Sequence, residues 1–414
     1  MSHEQIIFAN GSLTVPDTPV IPFIEGDGIG AEICRLTLQL IDATVERVYE
    51  SSRRIIWREV LAGDKSYQQS GQWLPAATLQ ELNQHVIGLK GPLRTPVGEE
   101  RRSLNVILRQ TLDLYACVRP LRWFKGIPAP VKRPELLNVV IFRENTEDLY
   151  TGIEFMRGSL EAGLLEDFLI EKLKAPAPRF PGENSFGVKP VSRPGSERLV
   201  RAAIAYAIKH KLPSVTLVHK GNIMKYTEGA FRSWGYELAQ REFAGQCLTA
   251  KQATDSAVVN ADNKILIKDK IADAFFQDIL LNPAHYAVIA TLNLNGDYIS
   301  DLAAAMIGGI GLAPGANINF ETGRAIFEST HGTAPDIAGR GIANPSSLIL
   351  SGVMMLEYMG WSEAAHHLQN AMANLFASQT GTVDIFGNVP NAQSVGTAEF
   401  VDLLLNEIDD QKIK

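Results

Sequence analysis

Cysteine is scarce and scattered. Cys34, Cys117 and Cys247 are the three in the chain. No pair has metal-ligand spacing, and an odd number excludes a closed disulfide framework. Cys117 lies in an apolar run and reads as core. Long hydrophobic runs are missing too: no stretch is long enough to span a membrane. The start, Met1-Ser-His-Glu-Gln, lacks the basic residues and the following apolar segment of a secretory leader, so a cytoplasmic location is the expectation. Positive charge is in deficit, with 39 Lys and Arg against 46 Asp and Glu, a net charge of −7. That balance excludes nucleic acid or an anionic membrane as the main partner, while leaving room for a local basic pocket that takes a small anion. No repeat or low-complexity tract is present.

What remains is an ordinary globular composition, 45% hydrophobic and 21% charged. The length of 414 residues suggests two or three domains. Strand-like runs at Ile21 to Glu25, His85 to Lys90, Leu112 to Arg119, Leu137 to Arg143, Val215 to His219 and Tyr286 to Thr291 alternate with helical patterns. Ser196 to His210 and Asp269 to Leu281 have the helical period. The alternation predicts an α/β architecture with a largely parallel sheet. The segment from about Glu161 to Ser192 differs: a charged helix is followed by Ala175-Pro-Ala-Pro-Arg-Phe-Pro-Gly-Glu, rich in turn formers. It reads as an excursion from the main domains and a candidate for subunit contact.

The stretch Asn293 to Asp301, N-L-N-G-D-Y-I-S-D, follows a buried strand pattern. Asp297 and Asp301 are four apart at the start of a helix, so both carboxylates share one face. Like charges that close need a cation or solvent between them, and oxygen-only ligation suits Mg²⁺ or Mn²⁺ rather than zinc. A plain helix N-terminus also favours Asp, so the spacing alone leaves both readings open. Three strand patterns end in a cation: Arg119, Arg143 and Lys220. In α/β proteins ligands bind beyond the carboxyl ends of strands, so shared membership of a sheet would gather these cations near the two aspartates. Cations beside a divalent metal suit a substrate with several carboxylates.

Other constellations add to this. In the block from Thr95 to Arg109, Ser103 reads as a helix N-cap, with Asn105 and Arg109 on one face. Ile24 to Gly30, I-E-G-D-G-I-G, follows a strand and precedes a helix, but Gly26, Gly28 and Gly30 do not have the G-x-G-x-x-G spacing. It reads as a tight strand-to-helix turn. Glu328 to Gly339, E-S-T-H-G-T-A-P-D-I-A-G, is small and flexible enough to approach a nucleotide with its backbone, and His331 could stack or hydrogen-bond there.

Taken in order, these blocks resemble the bacterial isocitrate dehydrogenases of the β-decarboxylating dehydrogenase family. The resemblance runs from about Pro19 to Phe400. It is carried by I-E-G-D-G-I-G at 24–30, R-S-L-N-V-I-L-R at 102–109, I-F-R-E-N-T-E-D at 141–148, L-V-H-K-G-N-I-M-K at 217–225, the 293–301 block and T-H-G-T-A-P at 330–335. Related isopropylmalate enzymes have apolar residues at the positions of Ser103 and Asn105, so these two favour isocitrate. The resemblance implies the isocitrate/isopropylmalate dehydrogenase α/β fold, not a Rossmann fold. It implies a large domain of residues 1–114 and 308–414, a small domain of 115–149 and 193–307, and a dimer clasp of 150–192. It implies that Thr95, Ser103, Asn105, Arg109, Arg119 and Arg143 bind substrate carboxylates. Tyr150 would be the general acid and Lys220 would assist deprotonation of the C2 hydroxyl. Asp297 and Asp301, joined by Asp273, would hold Mg²⁺ or Mn²⁺, with Lys220 and Asp273 reaching across a homodimer whose active sites are shared. Glu328, His331, Gly332, Thr333, Ala334, Asp336, Ile337 and Asn344 would meet the dinucleotide.

Two departures stand out. NADP-dependent bacterial relatives carry Lys-Tyr where this chain has Asp336-Ile337, a Tyr and an Arg where it has Val383 and Gly387, and a trans Arg where it has Asn282. The loss of these phosphate partners, with a carboxylate in one place, predicts NAD as cofactor. Arg94 replaces a Thr beside the nicotinamide. The competing readings are a sister dehydrogenase for homoisocitrate, isopropylmalate or tartrate, and a non-enzymatic regulatory subunit. Ser103 with Asn105 speaks against the first, and the presence of Tyr150, Lys220, Asp297 and Asp301 against the second.

Overall fold

The structure is a computed structural model that describes residues 5–95, 102–250, 252 and 264–411. Residues 96–101, in the middle of the Thr95–Arg109 block, lie outside the described residues. Eleven strands form one sheet. In chain order they are β1 (Val20–Ile24), β2 (Ile56–Glu59), β3 (Ile87–Lys90), β4 (Ala116–Arg122), β5 (Asn138–Glu144) and β6 (Ser214–His219). They continue with β7 (Cys247–Thr249), β8 (Ile265–Ile271), β9 (Val288–Thr291), β10 (Pro314–Ile318) and β11 (Ala325–Ser329). The spatial order is β7-β8-β6-β9-β5-β4-β10-β11-β3-β1-β2. Strands from 116–291 therefore make one side and strands from 20–90 and 314–329 the other.

The sheet is mixed: seven of its ten strand pairings are parallel, in line with the alternation of elements, and three at its centre are antiparallel. Both wings are parallel, but β4 runs antiparallel to β5 and to β10, and β10 runs antiparallel to β11. The antiparallel centre turns the two wings in opposite directions. Strand interiors are almost wholly buried, as expected for a sheet covered on both faces by helices. Helix α1 (Gly30–Tyr49) buries Ile33, Leu40, Ile41 and Val45 along a helical stripe and ends where Glu50 turns left-handed, φ 47°. All three cysteines are buried and free. Among the described residues no helix is long and apolar enough to cross a membrane.

The helix expected from Asp269 starts later, at Ala272, because Ile265–Ile271 pairs as β8 between β6 and β7. The 150–192 excursion carries a short helix, Leu160–Asp167, and a two-stranded ribbon of Glu154–Phe155 with Phe186–Gly187. It leaves Met156, Leu160, Leu164, Phe168, Leu173 and Phe180 exposed. At its exit Lys189 reaches two fully buried carboxylates, Asp148 at 2.5 Å and Glu228 at 2.9 Å. Asp148 holds a left-handed backbone, φ 69°, which a non-glycine residue keeps only when its surroundings enforce it.

Candidate functional site

Strand register builds the floor of the site. Lys90 pairs with Glu328, Asn317 with Cys117, Cys117 with Arg143, and Arg119 lies two residues from Cys117. Side chains alternate along a strand and paired residues share a face. Lys90, Glu328, Asn317, Arg119 and Arg143 thus project from one face of five adjacent strands. Glu328 is the central anion. It lies 2.9 Å from Lys90 Nζ, and it accepts from Arg109 Nη2 at 2.7 Å and Asn317 Nδ2 at 2.7 Å. Burial pushes its carboxyl upward, but Lys90 and Arg109 overcome this and hold it below the usual carboxylate range. Asn145 supports Asn317, donating from Nδ2 to Asn317 Oδ1 at 2.8 Å.

Arg143 is 1% exposed. Its Nε donates to Asn293 Oδ1 at 2.8 Å and its Nη1 to Asp297. Burial lowers its affinity for a proton and Asp297 opposes that. A glycine makes room for it: a Cβ on Gly296 would stand 2.6 Å from Arg143 Cβ. Gly296→Ala is expected to displace Arg143 and cost about 1–3 kcal/mol of stability, the usual penalty of overpacking. A thermal melt with unchanged midpoint and an unchanged KM for substrate would contradict this.

Helix α2 (Leu104–Thr111) follows Ser103, which occupies the N-cap position but makes no capping bond with its side chain. The hydroxyl instead pairs with Thr95 Oγ1 at 3.0 Å. Asn105 Nδ2 reaches the Leu93 carbonyl at 3.5 Å. Asn105 Oδ1, Arg109 Nε and Arg119 Nε are buried without a protein partner, and these three residues line a small pocket with Lys90, Glu328 and His331. Orphaned polar atoms around one cavity are the signature of a polar ligand site.

Helix α3 (Asn293–Met306) starts directly after β9 and carries both aspartates. Asp297 accepts from Arg143 and from the Tyr150 hydroxyl. Burial raises its carboxyl, but Arg143 leads the groups that bring it below its ordinary value. Asp301 is raised, first by burial and then by Asp297, with Arg119 opposing from 3.8 Å. Two hard carboxylates, one made uneasy by the other, fit a divalent cation. Among the described residues no third His, Cys, Asp or Glu joins them. Tyr150 is pushed up to about 12, by burial first and by Asp297, so at neutral pH it keeps its proton.

Lys220 and Asp273 are not brought to this cluster within one chain. They follow β6 and β8, adjacent parallel strands in which His219 pairs with Ile271, and their side chains meet each other. Neither forms a hydrogen bond or ion pair with Tyr150, Asp297 or Asp301. The Lys220 backbone N–H donates to Glu228 Oε2 at 2.9 Å.

Beyond β11 the chain runs into the second loop. Thr330 Oγ1 is tied to the Ala313 carbonyl at 2.9 Å. His331 Nδ1 lies 2.8 Å from its neighbour's carbonyl, Gly332 O, an arrangement in which Nδ1 carries the proton. Its Nε2 is then a buried acceptor without a partner, and burial lowers its pKa. Ala334 is left-handed at φ 40° and opens the short turn Pro335–Ile337. Gly332 and Asp336 are exposed, Thr333 and Ile337 half-buried. Asn344 is buried, its amide bound to Asp384 at 3.0 Å and its carbonyl accepting the Ser346 N–H at 2.9 Å. Lys90, Asn317, Asn145 and Asn293 are site residues that the sequence reading passed over. Lys90 had a visible signal, since it ends a strand pattern as Arg119, Arg143 and Lys220 do.

The molecule is thus an α/β protein whose mixed sheet carries a cationic floor beneath two helix-borne carboxylates. The model of the isocitrate/isopropylmalate dehydrogenase family matches residues 20–404, and the chain belongs to that family. It is 53% identical to the isocitrate dehydrogenase [NADP] of Staphylococcus epidermidis, over 99% of this chain and 100% of that protein. It is 50% identical to the enzyme of the same name from Streptococcus mutans, over 97% and 99%. The crystal structure of isocitrate dehydrogenase from Methylococcus capsulatus superposes with a TM-score of 0.77 at 36% identity, covering 95% of this chain and 100% of that one.

These relatives correct the expectation of an NAD-dependent enzyme: proteins half identical over nearly the whole length are named for NADP. The expectation weighed single positions, chiefly the carboxylate of Asp336. That residue is exposed on a short turn. In water two charges 4 Å apart interact by only about 1 kcal/mol, so a solvated carboxylate excludes a phosphate weakly. Just past the same turn stands an exposed cation, Arg340, whose backbone N–H donates to Ile337 O at 3.2 Å.

Proposed function

We propose that the chain catalyses the oxidative decarboxylation of isocitrate to 2-oxoglutarate and CO₂, with NADP⁺ taking the hydride from C2. The observation that carries this reading is the meeting of Arg119 with Asp301 and of Arg143 and Tyr150 with Asp297, beside a pocket that Arg109 lines together with Arg119. Three guanidinium groups in one small site match a tricarboxylate, since each can engage a carboxylate in a two-point hydrogen bond. Ser103, Thr95 and Asn105 add polar contacts at the edge. Asp297 and Asp301, with Asp273 from a second copy, would hold Mg²⁺ or Mn²⁺. Such an ion supplies Lewis-acid polarisation of the C2 oxygen. Lys220 of that second copy assists removal of the C2 hydroxyl proton. Tyr150, protonated at neutral pH, returns a proton to C3 after CO₂ leaves.

The homodimer is part of the proposal. Two observations support it: among the described residues no third ligand joins the aspartate pair, and the 150–192 excursion exposes a row of large apolar side chains. The proposed large domain, 1–114 with 308–414, corresponds to one wing of the sheet, the small domain, 115–149 with 193–307, to the other, and the clasp, 150–192, to the excursion. The loop from Glu328 through His331, Gly332, Thr333, Ala334, Asp336 and Ile337, with Asn344 behind it, would face the dinucleotide. Initial rates with isocitrate and Mg²⁺, run with NADP⁺ and with NAD⁺, test the reading. NADP⁺ is expected to have the higher kcat/KM. No turnover with either cofactor would sink the assignment, and a ratio favouring NAD⁺ would sink its cofactor part.

A further inference from the structure

The turn at Glu25–Gly30 has no role so far, yet it touches both segments that bracket the site. The Asp27 carboxylate, 4% exposed, accepts the backbone N–H of Arg94 at 2.8 Å and of Asp64 at 2.7 Å. Its own N–H donates to the Pro92 carbonyl at 2.7 Å. On the other side the Ile29 N–H donates to the Thr333 carbonyl at 3.0 Å. Gly26 and Gly28 have φ of +91° and +58°. A Cβ on Gly26 would stand 2.5 Å from the Pro92 oxygen, and one on Gly28 would overlap the Thr333 oxygen. Glycine is therefore required here both for the backbone shape and for the close approach to two loops.

The Pro92–Thr95 segment is in turn linked to the substrate helix, through the Leu93 carbonyl to Asn105 and through Thr95 to Ser103. Hydrogen bonds joined by short stretches of backbone thus connect Thr333 through the turn to Asn105 and Ser103. We propose that Asp27 is a positioning residue that locks the cofactor loop and the substrate segment in one register, so that occupancy at one tightens binding at the other. This deepens the reading of the site as a dehydrogenase centre and rests on it. Both carboxylate oxygens are needed, because each receives a different backbone N–H. An asparagine in the same place offers one acceptor and turns an N–H donor against the other amide. Coupling of this kind is reciprocal between the two ligands.

The experiment is calorimetric binding of NADPH and of isocitrate with Mg²⁺, separately and together, to the wild type and to Asp27→Asn. The wild type is expected to bind each ligand at least about fivefold tighter in the presence of the other, the lower end of ordinary coupling. The variant is expected to bind NADPH alone within about twofold of wild type while the coupling factor falls toward one. Its KM for isocitrate should rise roughly tenfold, as the loss of one hydrogen bond to a charged acceptor predicts, with kcat changed less. A folded variant that keeps wild-type coupling overturns the proposal, and so does a wild type with none. If the variant does not fold, hydrogen exchange on the wild type decides. NADPH alone should slow exchange at the amides of Arg94 and Asp64, and no change there overturns the proposal. A wild type that responds in this way but does not oxidise isocitrate would refute the functional reading while leaving the coupling standing.

Discussion

Two inactive variants, Tyr150→Phe and Lys220→Met, are expected to regenerate activity when mixed under subunit exchange. Each alone should lose roughly 10²–10⁴-fold in turnover, the usual contribution of a general acid or base. Tyr150 belongs to the cluster around Asp297, while the Lys220 ammonium pairs with Asp273. If Lys220 serves the site of the second copy, one site of each heterodimer carries both groups. The two losses also differ in kind. Tyr150→Phe should leave reduction of added oxalosuccinate comparatively intact, whereas Lys220→Met should impair that redox step. Heterodimers confirmed by mass spectrometry but without recovered activity would count against shared sites.

The second large effect is expected at Asp297. Replacement by Asn removes a carboxylate from the proposed metal pair and leaves the buried Arg143 without its counter-ion. Even partners outside a metal's direct ligands typically cost 10–100-fold, so a loss of at least roughly that size in metal affinity and turnover together is the expected outcome. Titration of the initial rate with Mg²⁺ and Mn²⁺, before and after EDTA, reads it. Full activity of the purified wild type in excess EDTA, with no metal retained by elemental analysis, would refute a metal-dependent reaction here.

The aspartate pair was legible because i, i+4 spacing after a strand is local information. Arg143 and Lys220 were legible for the same reason, each standing at or just beyond a strand end, whereas Arg119, expected at one, lies in the middle of β4, which runs on to Arg122. The convergence of the site was not. Strand direction alone would gather the cations only if β4, β5 and β6 all ran the same way, whereas β4 runs antiparallel to β5. What brings Arg119 and Arg143 together is register across that antiparallel pair, a long-range quantity that one-dimensional periodicity does not encode. Glu328 could be placed on the cofactor loop, but its ion pairs with Lys90 and Arg109 depend on β11 lying beside β3. Pro314–Ile318, P-G-A-N-I, was missed as a strand because Pro, Gly and Asn carry little strand propensity; burial between two neighbours determines it instead. Ser103 shows the reverse case: its position at the helix start was readable, while its choice of Thr95 over a capping bond was set by the neighbouring segment. The cofactor was the clearest failure, because its recognition depends on a whole surface and not on the five aligned positions Asp336, Ile337, Val383, Gly387 and Asn282.

Lys189 limits how modular this protein is. The excursion looks detachable, a loop with its own ribbon and helix, and an engineer seeking a compact monomer would be tempted to excise it. But Lys189 is the cation that Asp148 and Glu228 share in the interior. Removing one member of a buried ion pair typically costs about 3–5 kcal/mol, a large part of a domain's stability. A shortened chain would therefore carry two stranded acids beneath the root of Tyr150 and the backbone of Lys220. It would require neutral replacements at both, Asp148→Asn and Glu228→Gln, before any benefit of trimming could appear.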